Sequence, residues 1–452
     1  MVVDMDETRA GLWTNRRYVA WLFSDTAKGL GTSLASFAVP LVALIVTNDP
    51  AQAGIIGGVG MTVRLALTLF GGVLADRHHR VRMMLVGAVF ATVLSAGFTA
   101  LALSGALSFA ALLAVQALLA VRAGAFEPAS ESAVKEIVPD EAMGRAQAAN
   151  QGRDAALQLT AGPLGGLLLG VGAWLVGVVM TVCYALAAAS AWLLGRAVRD
   201  DAGASVPPVD DDAARSPREG GPTEGAPAER GPNALREIRE GFAWLFSRPD
   251  LSGVLWISTT VNLGFNAALT TVIYALQQAG ETELTIGMVS AVLGATMLVG
   301  ALAAPLLVPR IGAGVLMIAG IGAASVAVAA LTLAHETATI ALVLVFAVFL
   351  IPTLNAGMMG YFMVATPSRL LGRANAASGV LGMGAMPLAP LIAGFGLTWA
   401  GRDATLLVCA GFCVVSLLLA VTNRGLRSLP AEAGWAAHAR TFDTDPATAV
   451  RA

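Results

Sequence analysis

Residues 71–84, GGVLADRHHRVRMM, place five basic or imidazole side chains, Arg77, His78, His79, Arg80 and Arg82, in a short turn between two long apolar segments. Such a turn belongs on the cytoplasmic face of a membrane, where short loops collect Lys and Arg. Asp76 opens the turn and glycines precede it, so the stretch reads as a tight connection between two membrane helices, with a carboxylate held among cations.

Composition leads to the same class. Hydrophobic residues make up 56% of the 452-residue chain and charged residues 13%, which excludes an ordinary water-soluble domain. Nearly charge-free runs lie at 29–48, 83–121, 155–195, 251–280, 284–309, 311–334, 337–368, 374–401 and 404–423. A membrane helix needs roughly 20 apolar residues. The two runs near forty residues therefore hold two helices each, with turns at Leu103–Ser108 and around Gly170–Gly172, and twelve spans result. The expected fold is all-α, with the spans in two six-helix bundles.

The N-terminal segment lacks a short apolar core with a small-residue cleavage site, so no signal peptide is expected. Arg77, Arg80, Arg82, Lys135, Arg145, Arg310, Arg369 and Arg373 fall in turns on one side and Arg402 in a loop on the other. That bias places both termini in the cytoplasm. The Ala- and Gly-rich composition points to a high-GC bacterium and hence to its cytoplasmic membrane. Residues 199–233, rich in Pro, Gly, Ala and acid, cannot bury enough apolar surface to fold and read as a disordered cytoplasmic linker. The expected organisation is a tail at 1–16, bundles at 17–198 and 249–424, an amphipathic interfacial helix at 234–248 and a second tail at 425–452. The helix carries Leu235, Ile238, Phe242 and Leu245 on one face.

Some function classes drop out. A net charge of −2 averages an acidic linker with basic turns and implies no nucleic-acid partner. Cys183, Cys409 and Cys413 all fall inside predicted spans, which suits packing rather than disulfides or a metal site, and His78, His79, His335 and His438 are scattered. No phosphate-binding G-x-x-x-x-G-K loop, H-E-x-x-H pair or nucleophile with its base is present, so neither an enzyme nor a cofactor is expected.

The halves read as repeats. GRAQAANQ at 144–151 matches GRANAASG at 372–379 in five of eight positions, each after the fourth span of its half. GPLGG at 162–166 aligns with APLIAG at 389–394, and LADRHHRVRMM with LVPRIGAGVLM, where Arg77 meets Arg310. Six-plus-six repeats suggest two bundles rocking about a midplane site.

On these residues the chain resembles the major facilitator superfamily, and more narrowly its twelve-span drug-exporter branch, similar to macrolide and siderophore efflux proteins. The superfamily's loop signature, G-x-x-x-D-R-x-G-R-R, is matched by Gly72, Asp76, Arg77 and Arg80, with His79 in place of the usual glycine. Gly162, Pro163, Gly165 and Gly166 resemble the antiporter motif of span five, with Gln158 where a further glycine is usual. A third signature, an arginine in span four followed by small residues, is partly met by Arg122 and Gly124. The resemblance implies alternating access, proton exchange as the branch's mode, and a monomer. In physical terms, Asp76 at a helix C-terminus is answered by Arg77 and Arg80, either as a conformational latch or within a set of topology anchors. GPLGG permits close helix contact, with or without a gating bend.

An ionisable group in hydrocarbon is costly and so is functional or paired. Such groups fall in the N-terminal spans: Asp25 and Lys28 in span one, Arg64 in span two, Arg122 and Glu127 in span four, Arg153 and Asp154 in span five. At 1.5 Å per residue, Asp25, Glu127 and Asp154 lie about 12–14 Å from their cytoplasmic helix ends and Lys28, Arg64 and Arg122 about 16–20 Å. A layer of acids is thus expected beneath a layer of bases. Asp25 and Lys28 share a helix face and can neutralise one another without any transport role. As the coupling reading has it, Asp25 and Glu127 carry protons, Arg64 and Arg122 are counter-ions, and Asp154 is structural. The C-terminal half offers neutral polar groups. Asn262, Asn266, Asn355, Met359 and Tyr361, with Trp21, Gln116 and Phe126, are expected to line an adaptable cavity for a small molecule, although each equally suits helix packing. Three functions stay open: proton-coupled export of a small amphiphile, an uncoupled facilitator or flippase, and a non-transporting scaffold or sensor.

Overall fold

The computed structural model describes residues 15–138, 140–204, 234–367 and 370–442. The linker expected at 199–233 lies outside them beyond residue 204, as do most of the N-terminal tail and residues 443–452. Six helices build the N-terminal bundle: α1 (Arg16–Thr47), α2 (Pro50–Arg77), α3 (Arg80–Leu103), α4 (Phe109–Ile137), α5 (Asp140–Val171) and α6 (Ala173–Ala204). After α7 (Ala234–Ser247) come α8 (Pro249–Gln278), α9 (Glu283–Leu307), α10 (Ala313–Ala330), α11 (Thr337–Val348), α12 (Ile351–Ala365), α13 (Leu371–Gly384), α14 (Leu388–Trp399) and α15 (Gly401–Thr422). The last described helices are α16 (Arg424–Arg427) and α17 (Trp435–Arg440).

Nine described helical stretches are long and apolar enough to cross a bilayer. The pairs α11–α12 and α13–α14 each make one of these, and the long polar-striped helices α2, α5 and α8 complete twelve spans in two six-helix bundles. The protein is a multi-pass membrane protein. Its outer surface carries Val93, Leu186, Leu302, Leu342 and Leu418 in the open, an inversion of the soluble pattern that hydrocarbon surroundings favour. The end where α1 begins is termed proximal, and the opposite end distal.

Local chemistry sets the helix ends. Asn15 caps α1 by accepting from the Arg17 and Tyr18 amides at 3.0 and 3.2 Å, satisfying donors that the helix leaves free. Its amide nitrogen also donates to the Ile137 carbonyl at 3.0 Å, tying the start of α1 to the end of α4. Asn48 takes a left-handed conformation with φ 48°, and Asp49 then caps α2 through the Ala51 amide at 2.9 Å, with Pro50 as the first helical residue. The two expected breaks appear where the sequence places them, between Leu103 and Phe109 and at Gly172, whose φ of 150° favours glycine. The three cysteines are buried and free.

At the proximal end of the C-terminal bundle the segment after α15 is folded back. Ala313 and Gly314 at the start of α10 donate to the Pro430 and Leu429 carbonyls at 3.1 and 3.4 Å. Leu426, Leu429, Trp435 and Ala439 are buried, and Arg248 donates to the Ala439 carbonyl at 3.2 Å. The expected amphipathic helix forms as α7, but Leu245 is buried against the bundle and Glu240 pairs with Arg373 at 2.7 Å, so α7 docks on α13 and α8.

Candidate functional site

Charge in the N-terminal bundle is organised into two linked clusters. In the proximal cluster, Asp25 of α1 is 8% exposed and accepts from Lys28 and from the Ser130 hydroxyl of α4. Arg153 of α5 lies 2.8 Å from its second oxygen. The Arg153 guanidinium also holds Asp154 at 2.8 Å and stands over the Trp21 ring, 5.7 Å from its centre. Trp21 in turn donates to the Ser130 carbonyl at 3.0 Å. One carboxylate of α1 thereby binds α4 and α5 through residues more than 100 positions further along the chain, and a buried acid of this kind stays compatible with its site because cations and a hydroxyl surround it.

The second cluster lies toward the middle of the membrane. Glu127 accepts from Arg64 of α2 at 3.0 Å and faces Arg122 at 3.6 Å. Arg122 is 2% exposed, donates to Thr32 at 3.0 Å and lies over the Tyr184 ring at 5.2 Å. Arg64 is the more open partner, with half of its side chain exposed. The expected layers of acids and bases thus interlock as pairs, and Arg153, read from sequence only as the neighbour of Asp154, joins the acid layer as a principal partner of Asp25.

These clusters form the wall of a cavity of about 740 Å³. Trp21, Asp25, Lys28, Arg64, Glu127, Arg153 and Asp154 line it, together with Glu131, and α9 contributes Ser290. A deeper cavity of about 270 Å³ shares Thr32, Ser36, Phe37 and Arg64 with the first and reaches Gln116, Arg122, Tyr184, Thr270 and Tyr274. A third, of about 380 Å³, lies in the proximal half of the C-terminal bundle against Leu255, Asn355, Met358, Met359 and Phe362. The paired walls are therefore chemically unlike: charged on one side, apolar with amides on the other.

Glycines close the distal side. A Cβ at Gly166 of α5 would lie 2.2 Å from the Glu283 carbonyl oxygen of α9, and one at Gly287 would lie 2.3 Å from that of Gly162. Across the pseudo-twofold, a Cβ at Gly54 of α2 would lie 2.4 Å from the Pro390 oxygen of α14, and one at Gly394 would lie 2.3 Å from the Pro50 oxygen. Thr398 adds a hydroxyl 3.4 Å from Asp49. Two backbone-to-backbone seams thus join the bundles distally, while the charged cavity occupies the proximal half.

The span-five glycines act in this seam: Gly162 and Gly166 meet α9, whereas Gly165 meets Phe37 of α1. α5 continues through Pro163 as one helix to Val171. Within the loop signature, Arg80 donates to the Ser132 carbonyl at 3.1 Å, and the side chains of Gly72, Asp76 and Arg77 lie outside the described residues. Trp21, Gln116, Asn355 and Met359 line cavities. Phe126 does not reach the central space: it faces α3 and packs on Gly87, where a Cβ would be 2.7 Å away. Tyr361 is fully buried, 5.9 Å from the His438 ring, because the folded-back C-terminal segment covers it. Asn262 and Asn266 spend their amide donors on the Gly382 and Asn262 carbonyls, at 3.3 and 2.8 Å. Glu131 was missed because its surroundings, EPASESAVKE, read as the polar margin of a span; the signal was its place four residues after Glu127, on the same helical face.

The sequence matches the family profile described as Major Facilitator Superfamily over residues 23–384. No curated protein matches it. Among solved structures, it is similar to a bacterial homologue of the iron transporter ferroportin in an inward-facing state, with TM-score 0.66 and 15% identity over 91% of this chain and 99% of the other. It is likewise similar to a bacterial homologue of the human lysosomal transporter Spinster, inward-facing and unoccupied, with TM-score 0.60 and 16% identity over 94% and 98%. The nucleoside transporter NupG gives TM-score 0.64 and 13% identity over 90% and 100%. At these identities the likeness is one of fold.

Proposed function

The chain belongs to the Major Facilitator Superfamily, a family of membrane transporters, and on that premise we propose that it exports a small amphiphilic organic compound, drug-, antibiotic- or siderophore-like, by alternating access in exchange for protons. The observation that carries this reading is the pairing of a distal seam closed by glycines with a 740 Å³ charged cavity in the proximal half. With the basic turns in the cytoplasm, the proximal end faces inward, the termini are cytoplasmic, and the molecule stands ready to load from inside a bacterial cell. Two of the similar structures are described as inward-facing. The linker joins two bundles that rock as a monomer, with Asp76, Arg77 and Arg80 latching the proximal end in the outward state. Asp25 and Glu127 carry the coupling protons: each holds two cations, so adding a proton frees those cations and loosens the ties between α1, α2, α4 and α5. The same pairing favours the rival reading, an uncoupled facilitator in which the acids are only structural.

Proteoliposomes loaded with fluorescent cationic, neutral and anionic amphiphiles separate the two. Export predicts flux driven by an imposed pH gradient, abolished in Asp25→Asn and Glu127→Gln while substrate exchange survives. Gradient-insensitive flux in the unmodified protein would leave the facilitator standing, and no saturable flux would leave a scaffold.

A further inference from the structure

Glu131 is the acid of the main cavity that neither coupling cluster uses. It is exposed to the 740 Å³ space and makes no ion pair within 4 Å among the described residues. Among the described side chains, each neighbouring cation is committed elsewhere: Lys28 and Arg153 hold Asp25, and Arg64 and Arg122 hold Glu127. Glu127 itself sits one helical turn away on the same face of α4, a like charge that its own two arginines answer.

The far wall supplies no remedy. From the C-terminal bundle the cavity receives Ser290, and the interiors of α8 to α15 hold no carboxylate or cation. When the bundles close over the cavity, Glu131 loses its water, and the closing wall brings it only neutral groups. An ionised carboxylate in that position is strongly disfavoured unless a positive charge arrives with it. With no partner of its own, Glu131 is free to take its counter-charge from the cavity's contents, a cationic group on the outward passage, while the coupling protons stay with Asp25 and Glu127.

We infer that Glu131 is the specificity-determining carboxylate of this cavity and that it accepts a cationic organic group on the transported compound. This rests on the export reading and adds the substrate's charge and the residue that reads it. Among the described residues no group of three or more His, Cys, Asp or Glu is placed to hold a metal ion; one carboxylate without a cation of its own matches the single charge of an organic ammonium or phosphonium group. The groups facing Glu131 in any titration are Asp25 and Lys28 from α1, Arg64 from α2, Glu127 on its own helix, and Arg153 and Asp154 from α5.

Tetraphenylphosphonium and tetraphenylborate have the same shape and opposite charge, and their equilibrium binding to the purified full-length protein tests the assignment. The expected result is binding of the phosphonium at least about tenfold tighter than the borate, a difference of about 1.4 kcal/mol. Glu131→Gln should lose that tenfold preference and Glu131→Asp should keep most of it. Phosphonium binding near the acid's own titration range should release a proton, read from the buffer dependence of the calorimetric heat, and Glu131→Gln should remove that release. Unchanged phosphonium affinity in a folded Glu131→Gln protein, a preference for borate, or binding of neither ion would overturn the inference. Binding requires no transport, so charge selectivity without gradient-driven flux would sink the export reading alone, whereas gradient-driven flux indifferent to Glu131→Gln would sink the inference alone.

Discussion

Substituting Gly287 by alanine tests the distal seam directly. The added Cβ would stand 2.3 Å from the Gly162 carbonyl oxygen, 2.9 Å from its carbon and 3.3 Å from the Gly166 Cα. An ordinary contact needs about 3.4 Å, and all the obstructing atoms are backbone, so α5 and α9 must part by about an ångström. Overpacking of this kind costs about 1–3 kcal/mol. The cost falls only on the state in which the seam is closed, and the equilibrium moves toward the distally open state by roughly 5- to 150-fold. Spin labels at Ala106→Cys and Leu333→Cys, on exposed distal loops of the two bundles, report the separation by pulsed electron resonance. The long-distance population should rise at least about fivefold in Gly287→Ala. Gly97→Ala, where a Cβ would meet nothing within 4 Å, serves as the control and should leave the distribution alone. An unchanged distribution in Gly287→Ala would refute the view that backbone contact at this seam holds the distal side shut.

Arg153→Ala should lower stability by about 3–5 kcal/mol, the usual result of stranding one member of a buried pair, and adding Asp25→Asn should recover much of the loss; thermal melting of the single and double variants checks this. Arg122→Lys keeps the charge but loses the planar fork that serves Thr32, Glu127 and the Tyr184 face together, so gradient-driven flux in proteoliposomes should fall at least about tenfold while Glu127→Gln abolishes it. Trp435→Ala removes a buried ring that packs on Gly360 and donates to the Pro430 carbonyl and should cost about 3–5 kcal/mol in the same melting assay.

Span number and two inter-span turns were legible because they follow from runs of apolar residues and from Gly172 and the Leu103–Phe109 turn, which are local in sequence, whereas the interruptions between α11 and α12 and between α13 and α14 were not. The presence of costly charges in the N-terminal half was legible for the same reason. Their partnerships were not, since Asp25 meets Ser130 and Arg153, and Arg64 meets Glu127, only after helices pack. Orientation around a helix axis was the other missing quantity: Phe126 and Tyr361 have the composition of cavity residues, yet one turns toward α3 and the other is covered by the C-terminal segment. The seam was half visible. GPLGG announced close contact, but nothing in Gly54, Gly287 or Gly394 alone tells which glycines face the opposite bundle.

The segment after α15 carries a consequence for the order in which the protein is made. Membrane helices enter the bilayer as the ribosome produces them, N-terminal portions first. The amides that open α10 nevertheless find their acceptors at Leu429 and Pro430, and the ring that fills the space beside Gly360 is Trp435. These residues are synthesised more than a hundred positions after α10 begins. The C-terminal bundle must therefore wait, fully inserted but unsealed at its proximal end, until the ribosome has passed Trp435 and that segment has folded back. A nonsense codon just past Thr422 would yield a chain with every span in place and an exposed core for quality-control proteases to find.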